Sequence, residues 1–417
     1  MVVNRILNNG IRMVMEKIPS VQSVSIGIWV KTGSVNENPC NYGISHLIEH
    51  MLFKGTEKRS AKKIAEDVDR IGGHMNAFTS KECTCYYIKI LGSNIEQASD
   101  IIIDMFMNSK FMPEELKKEK DVIYEEIKMT EDSPEDDVHD LLSEMVFRGS
   151  ALESPIIGTY DSLESITREK ILQYIMEEYT STSIVISVAG CFDEDYIYDL
   201  FNGKFNNLMI NKKEKLYEIP LYIPEYKVKV KEVEQSHICL GTKGLTREDD
   251  LYFPMQLLNS IIGGSMSSRL FQQIREERGL AYSVYSISQS YISDGIYSIY
   301  AGVSHEKVEE TIKAIIDEMR LLANQGITND ELQTAKEQLK SSYVFSQENV
   351  NSRMFSIGKN SLLLSRLYTV EEIIDKINKV SMEDMLNAYE CIADIKRYSV
   401  ALISNRDYNL RNIIQES

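Results

Sequence analysis

The sequence is short of basic charge, of cysteine, of histidine and of long apolar runs. Its 46 Lys and Arg are outnumbered by 63 Asp and Glu, for a formal net charge of −17. Nucleic-acid binding needs a basic surface, so nucleic acid is not expected as a partner, whereas basic peptides would suit an acidic one. The six cysteines (Cys40, Cys83, Cys85, Cys191, Cys239, Cys391) are scattered over 417 residues. That is not the density of a disulfide-framed secreted module. Cys83 and Cys85 flank Thr84 in a strand-like run, which reads as two residues on one strand face, not as a metal clip. No apolar run approaches the roughly 20 residues of a membrane span. The opening Met1-Val2-Val3-Asn4-Arg5 has no basic-then-apolar signal pattern. The expectation is a cytoplasmic protein without a membrane partner.

With only six histidines, their grouping carries information. His46-Leu47-Ile48-Glu49-His50 places two of them four apart, and residues four apart share one helix face. Two neutral imidazoles aimed at one point can hold zinc, and Glu49 beside them can take a proton from a water that the metal activates. A His-x-x-Glu-His spacing arises by chance on the order of once in a hundred such sequences. The competing reading is a pair of ordinary histidines on an amphipathic helix.

A third ligand should come from a neighbouring element. The helix expected from Pro113 to Met129 offers Glu119 and Glu126, seven apart, with Val122 and Ile123 as an apolar stripe between them. Spacing alone does not choose between Glu125 and Glu126. His74, His139, His237 and His305 show no partner pattern and read as structural.

The length allows two to three domains, and 43% hydrophobic with 26% charged residues is ordinary for a soluble globular chain. Asn8-Asn9-Gly10 between apolar runs signals a hairpin. Strands and helices then alternate without strict order, and Asn206 to Tyr226, with Pro220 and Pro224, breaks the pattern. Beyond it the pattern restarts. Leu116 and Leu332 open similar helices 216 positions apart, and Ile166-Thr167 and Val380-Ser381 stand 214 apart before a helix and a strand. The offset reads as a duplicated α+β unit. Moved forward by about the same offset, the histidine motif falls on Ile261-Ile262-Gly263-Gly264-Ser265 and Glu126 on Ser342. One half can hold metal and the other cannot.

The reversed order of the His-x-x-Glu-His motif resembles the inverzincins. The run from Gly43 to Thr56, together with Asn76-Ala77-Phe78-Thr79, Glu119 to Ile127, Ser267 to Phe271 and Arg275 to Tyr282, resembles the pitrilysin/insulinase family of zinc metallopeptidases, M16, in its processing-peptidase branch (M16B). The resemblance spans essentially the whole chain. It implies an α+β fold of two duplicated domains, each an antiparallel-rich mixed sheet flanked by helices, facing each other as a clamshell. The expected parts are an N-terminal zinc-binding domain at 1–210, a linker at 211–226 and a metal-free domain at 227–417. It implies one zinc per chain held by His46, His50 and Glu126, with Glu49 as general base acting on the zinc-bound water. It further implies Glu119 as an auxiliary acid near the metal, and Asn76, Ala77, Phe78 and Thr79 as an edge strand receiving the substrate backbone. Arg275 and Tyr282 would reach the site from the second domain. The implied activity is endopeptidase cleavage of unfolded or presequence-like peptides by a homodimer. The alternative is a catalytically silent peptide-binding or structural subunit.

Overall fold

The computed structural model describes residues 2–205, 208, 220–364 and 366–416. Residues 211–219 of the expected linker lie outside the described residues. Two compact units form, and neither is continuous in the chain. The first comprises Met1–Ile127, Ser154–Leu216 and Phe345–Leu367; the second comprises Lys128–Glu153, Tyr217–Val344 and Tyr368–Ser417.

The first unit is built on six strands: β1 (Val2–Ile6), β2 (Arg12–Lys17), β3 (Ser23–Val30), β4 (His74–Thr79), β5 (Thr84–Leu91) and β6 (Ile184–Gly190). They lie in the order β1-β2-β6-β3-β5-β4, antiparallel except for β2 against β6. The Asn8-Asn9-Gly10 hairpin joins β1 to β2, with Val3 opposite Met15. Both sheet faces are buried, so β3 reads as an apolar run whose alternate residues enter two cores. Val24, Ile26, Ile28 and Val30 pack with the helices Ile44–Leu52 and Ile95–Asn108. Trp29, Cys85 and Val185 face the helix Val350–Leu363. That helix comes from the second half of the chain and lies across β6, β3 and β2.

The second unit repeats the plan. Its strands are β7 (Tyr226–Val230), β8 (Ser236–Lys243), β9 (Ala281–Ser290), β10 (Gly295–Val303) and β11 (Ser399–Ser404). Their order is β7-β11-β8-β10-β9, with β7 and β11 parallel and all other neighbours antiparallel. Order and directions match β2-β6-β3-β5-β4 strand for strand, which is the duplication seen in the sequence. Here the sheet is covered by the helix Pro134–Val146, which comes from the first half of the chain and packs on β8 and β11. Each sheet thus takes one cover helix from the other half of the sequence. The segment expected as a helix at Ser267 to Glu277 is a wider, π-type helical turn over Phe271–Glu277. Among the described residues, no helix is long and apolar enough to cross a membrane.

Candidate metal centre

The histidine motif forms the helix Ile44–Leu52. Ile44, Leu47, Ile48, Met51 and Leu52 are buried, which fixes the roll of the helix and leaves His46, Glu49 and His50 on its other side. Gly43 begins the helix at φ 86°, and a Cβ there would sit 2.6 Å from the Ile157 carbonyl oxygen. Glycine is required on both counts, but it brings no side chain to cap the free N–H groups of the first turn. Glu37 does this from the preceding loop. Its two oxygens accept the N–H groups of Gly43 at 2.7 Å and Ser45 at 2.9 Å. Burial nonetheless pushes the Glu37 carboxyl up to about 7.

The helix Pro113–Asp132 supplies the acids. Leu116, Glu119, Ile123 and Ile127 are its buried residues. Val122, expected in the apolar stripe, is instead 44% exposed; one helical step of 100° separates it from Ile123 and carries it out of the contact face. Glu125 is exposed, whereas Glu126 turns toward the histidines. The helix roll therefore separates two glutamates that spacing had left equal.

His46 Nε2 lies 3.8 Å from Glu126 Oε2, and His50 Nε2 lies 3.7 Å from Glu126 Oε1. The two imidazole centres are 4.7 Å apart. Burial, and then the neighbouring His50, push His46 down to about 4, so this imidazole is neutral near neutral pH, as a metal ligand must be. His50 Nδ1 lies 3.2 Å from Glu119 Oε2. A proton donated there leaves Nε2 with its lone pair facing Glu126, the usual arrangement of a metal-binding histidine. Lys54 Nζ holds the other Glu119 oxygen at 2.7 Å. Tetrahedral zinc, with bonds of about 2.0–2.2 Å, needs nitrogen and oxygen ligands about 3.3–3.6 Å from one another. The histidine-to-Glu126 separations stand close to this range, and one ligand atom from each of the three residues lies within 4.8 Å of the others, so side-chain adjustment of about an ångström lets the residues fit the ion. Among the described residues, His46, His50 and Glu126 form the one group of three or more candidate ligands so placed.

Glu49 is held beside this group by the Thr79 hydroxyl, which donates to Glu49 Oε2 at 2.5 Å. Burial raises the Glu49 carboxyl; the Thr79 bond and His50 oppose that shift. Thr79 ends β4, and among the described residues β4 pairs with β5 only. Asn76, Ala77 and Phe78 lie on the same strand, Asn76 opposite Tyr87 and Ala77 opposite Tyr86. A cavity of about 670 Å³ lies alongside, lined by Phe53, Lys54, His74, Met75 and Asn76 among others. In the second unit, Arg275 and Tyr282 are brought together: the guanidinium lies 5.2 Å from the ring centre, and Tyr282 is 76% exposed.

Sequence reasoning missed three partners of the site: Glu37, Lys54 and the Thr79 hydroxyl as a donor to Glu49. A helix that starts at glycine without a capping side chain signals that a cap must come from elsewhere, but it does not say from where. Three other histidines expected to be structural are engaged in the second unit. His139 lies 3.0 Å from the Tyr285 hydroxyl, His237 lies 2.8 Å from that of Tyr300, and His305 lies 2.8 Å from that of Ser236.

Comparison with known proteins gives the family of the chain. Residues 12–160 match the profile described as insulinase (peptidase family M16), and residues 165–339 match the peptidase M16 inactive domain. An uncharacterized zinc protease of Bacillus subtilis, YmxG, is 46% identical over 396 residues, covering 95% of this chain and 96% of its own. Another, from Streptomyces coelicolor, is 37% identical over 387 residues, covering 91% of this chain and 84% of its own. A peptidase M16 inactive domain structure from Pseudomonas fluorescens shares the fold, with a TM-score of 0.91 at 18% identity over 98% of both chains. With matching family profiles along most of its length and a near full-length relative at this identity, the chain belongs to the insulinase family of peptidases, M16.

Proposed function

We propose that the protein is a zinc-dependent endopeptidase that cleaves unfolded or extended peptides, presequence-like segments among them. The observation that carries this reading is the convergence of His46, His50 and Glu126 with Glu49 beside them, next to the free edge of β4. Zinc, when bound by His46, His50 and Glu126, supplies a Lewis acid that polarises the scissile carbonyl and makes water a nucleophile at neutral pH. Glu49 is the general base, and it returns the proton to the leaving amine. The Thr79 hydroxyl aims the Glu49 carboxylate. Glu119 holds His50 in the tautomer that leaves Nε2 free. The open edge of β4, from Asn76 through Ala77 and Phe78 to Thr79, adds a substrate as a further strand. Main-chain hydrogen bonds then bind any extended sequence. Arg275 and Tyr282, paired within the second unit, are assigned to the reaction on the family resemblance, with Tyr282 as an oxyanion donor. The reading carries one zinc per chain, a homodimer and a cytoplasmic setting.

The alternative, a silent peptide-binding subunit, draws on the second half, which matches an inactive domain and carries no ligand at Ile261 to Ser265. Digestion of a peptide library with the zinc-loaded and chelator-stripped protein, read by mass spectrometry, separates the two. The peptidase reading expects zinc-dependent internal cleavage. Binding of peptides without cleavage in the zinc-loaded protein would favour the silent subunit.

A further inference from the structure

Lys54 stands just beyond the helix that carries the two histidines. Its backbone N–H donates to the Met51 carbonyl at 3.1 Å, so its backbone is fixed by the same turn that ends the helix. Its ammonium reaches Glu119 Oε1 at 2.7 Å, while Glu119 Oε2 faces His50 Nδ1 at 3.2 Å. The Glu119 side chain is only 5% exposed, and that of Lys54 is 31% exposed. Glu119 also rides on the helix that brings Glu126 to the histidines.

We infer that Lys54 is a positioning residue of the metal centre, acting on His50 through Glu119; calling the metal zinc rests on the peptidase reading above. A carboxylate is a rigid plane with two acceptor edges. With one oxygen held by the ammonium, the other can meet His50 Nδ1 in only a narrow range of side-chain torsions. Without that hold, a carboxylate this buried must turn toward another donor, and the direction of the His50 ring is no longer enforced. Lys54 also fastens the end of the Ile44–Leu52 helix to the Pro113–Asp132 helix, so it fixes the distance between His50 and Glu126. Direct partners of metal-binding histidines, as Glu119 is of His50, typically cost about 10- to 100-fold in metal affinity when removed, and a residue acting through Glu119 costs no more than that.

The rival role for Lys54 is contact with substrate, because it lines the cavity beside β4. A thermodynamic cycle on metal binding separates the two, since no substrate is present. Zinc dissociation constants are measured for the unaltered chain, Lys54→Met, Glu119→Gln and the double variant, by competition with a chromophoric chelator. Circular dichroism checks that each is folded. The expected result is a loss of about 10- to 100-fold for Glu119→Gln, a measurable loss no larger than that for Lys54→Met, and no loss in the double variant beyond that of Glu119→Gln. Lys54→Arg, which keeps the charge and the reach, restores most of the affinity. Unchanged affinity in Lys54→Met, or equal losses in both Glu119 backgrounds, overturns the inference. Should Lys54→Met not fold, Lys54→Gln replaces it in the cycle under the same criteria. Zinc binding with the expected coupling but no peptide cleavage would sink the peptidase reading and leave this inference standing. A chain that binds no zinc overturns both.

Discussion

Replacing Gly358 with alanine places one methyl group against the chain's only tryptophan. Gly358 lies on the helix Val350–Leu363, where it crosses the first unit's sheet. A Cβ there would stand 2.1 Å from Trp29 Nε1 and 2.7 Å from Ser187 Oγ. Neither can give way easily. Trp29 is fully buried, donates to Ser187 Oγ at 2.8 Å, and is packed edge-on against Phe78 and Phe355. Overpacking of this kind costs about 1–3 kcal/mol, and a buried indole N–H stripped of its acceptor adds about 1–3 kcal/mol. Alanine's better helix propensity returns about 1 kcal/mol, so the net loss is about 1–5 kcal/mol. Tryptophan fluorescence reports on Trp29 alone and so follows the first unit during urea unfolding, even where the whole chain is not two-state. Gly358→Ala should lower the unfolding midpoint and alter the native emission. A midpoint at or above that of the unaltered protein, with unchanged emission, would refute the packing argument.

Two further predictions concern the candidate site. Glu37, raised from 4.5 to about 7 by burial, binds more protons folded than unfolded between those values, so its contribution to stability falls as pH rises through that window and stays flat above it. The thermal midpoint of Glu37→Gln, relative to the unaltered protein, should therefore rise from pH 4.5 toward pH 7; a constant difference would remove the assigned shift. Glu126→Ala should lose most of its zinc by metal analysis, while Glu125→Ala, altered at an exposed neighbour, should keep it; the reverse pattern would sink the choice of ligand.

Much of this arrangement is legible in the residues alone. Asn8-Asn9-Gly10 marks the first hairpin because few sequences tolerate its tight turn. The His46 to His50 spacing places two imidazoles on one side of a helix whatever surrounds them. Duplication is visible because helix starts recur at a near-constant offset. Other features depend on contacts that no local pattern encodes. The stripe on Pro134–Val146 shows that this helix covers something, but not that the sheet it covers is built by the second half of the chain. The same holds for Val350–Leu363. Glu125 and Glu126 differ by one helical step, and only the roll imposed by Leu116, Ile123 and Ile127 separates them. Glu37 and Lys54 act across loops, where burial and partners follow from the fold and not from periodicity.

The central claim, that Glu49 serves as base beside a zinc held by His46, His50 and Glu126, is tested most directly by Glu49→Gln. Zinc content and cleavage of an internally quenched extended peptide are measured on the same preparation. The account predicts zinc retained and cleavage reduced by at least about 100-fold, the low end for a lost general base. Retained zinc with undiminished cleavage would contradict it.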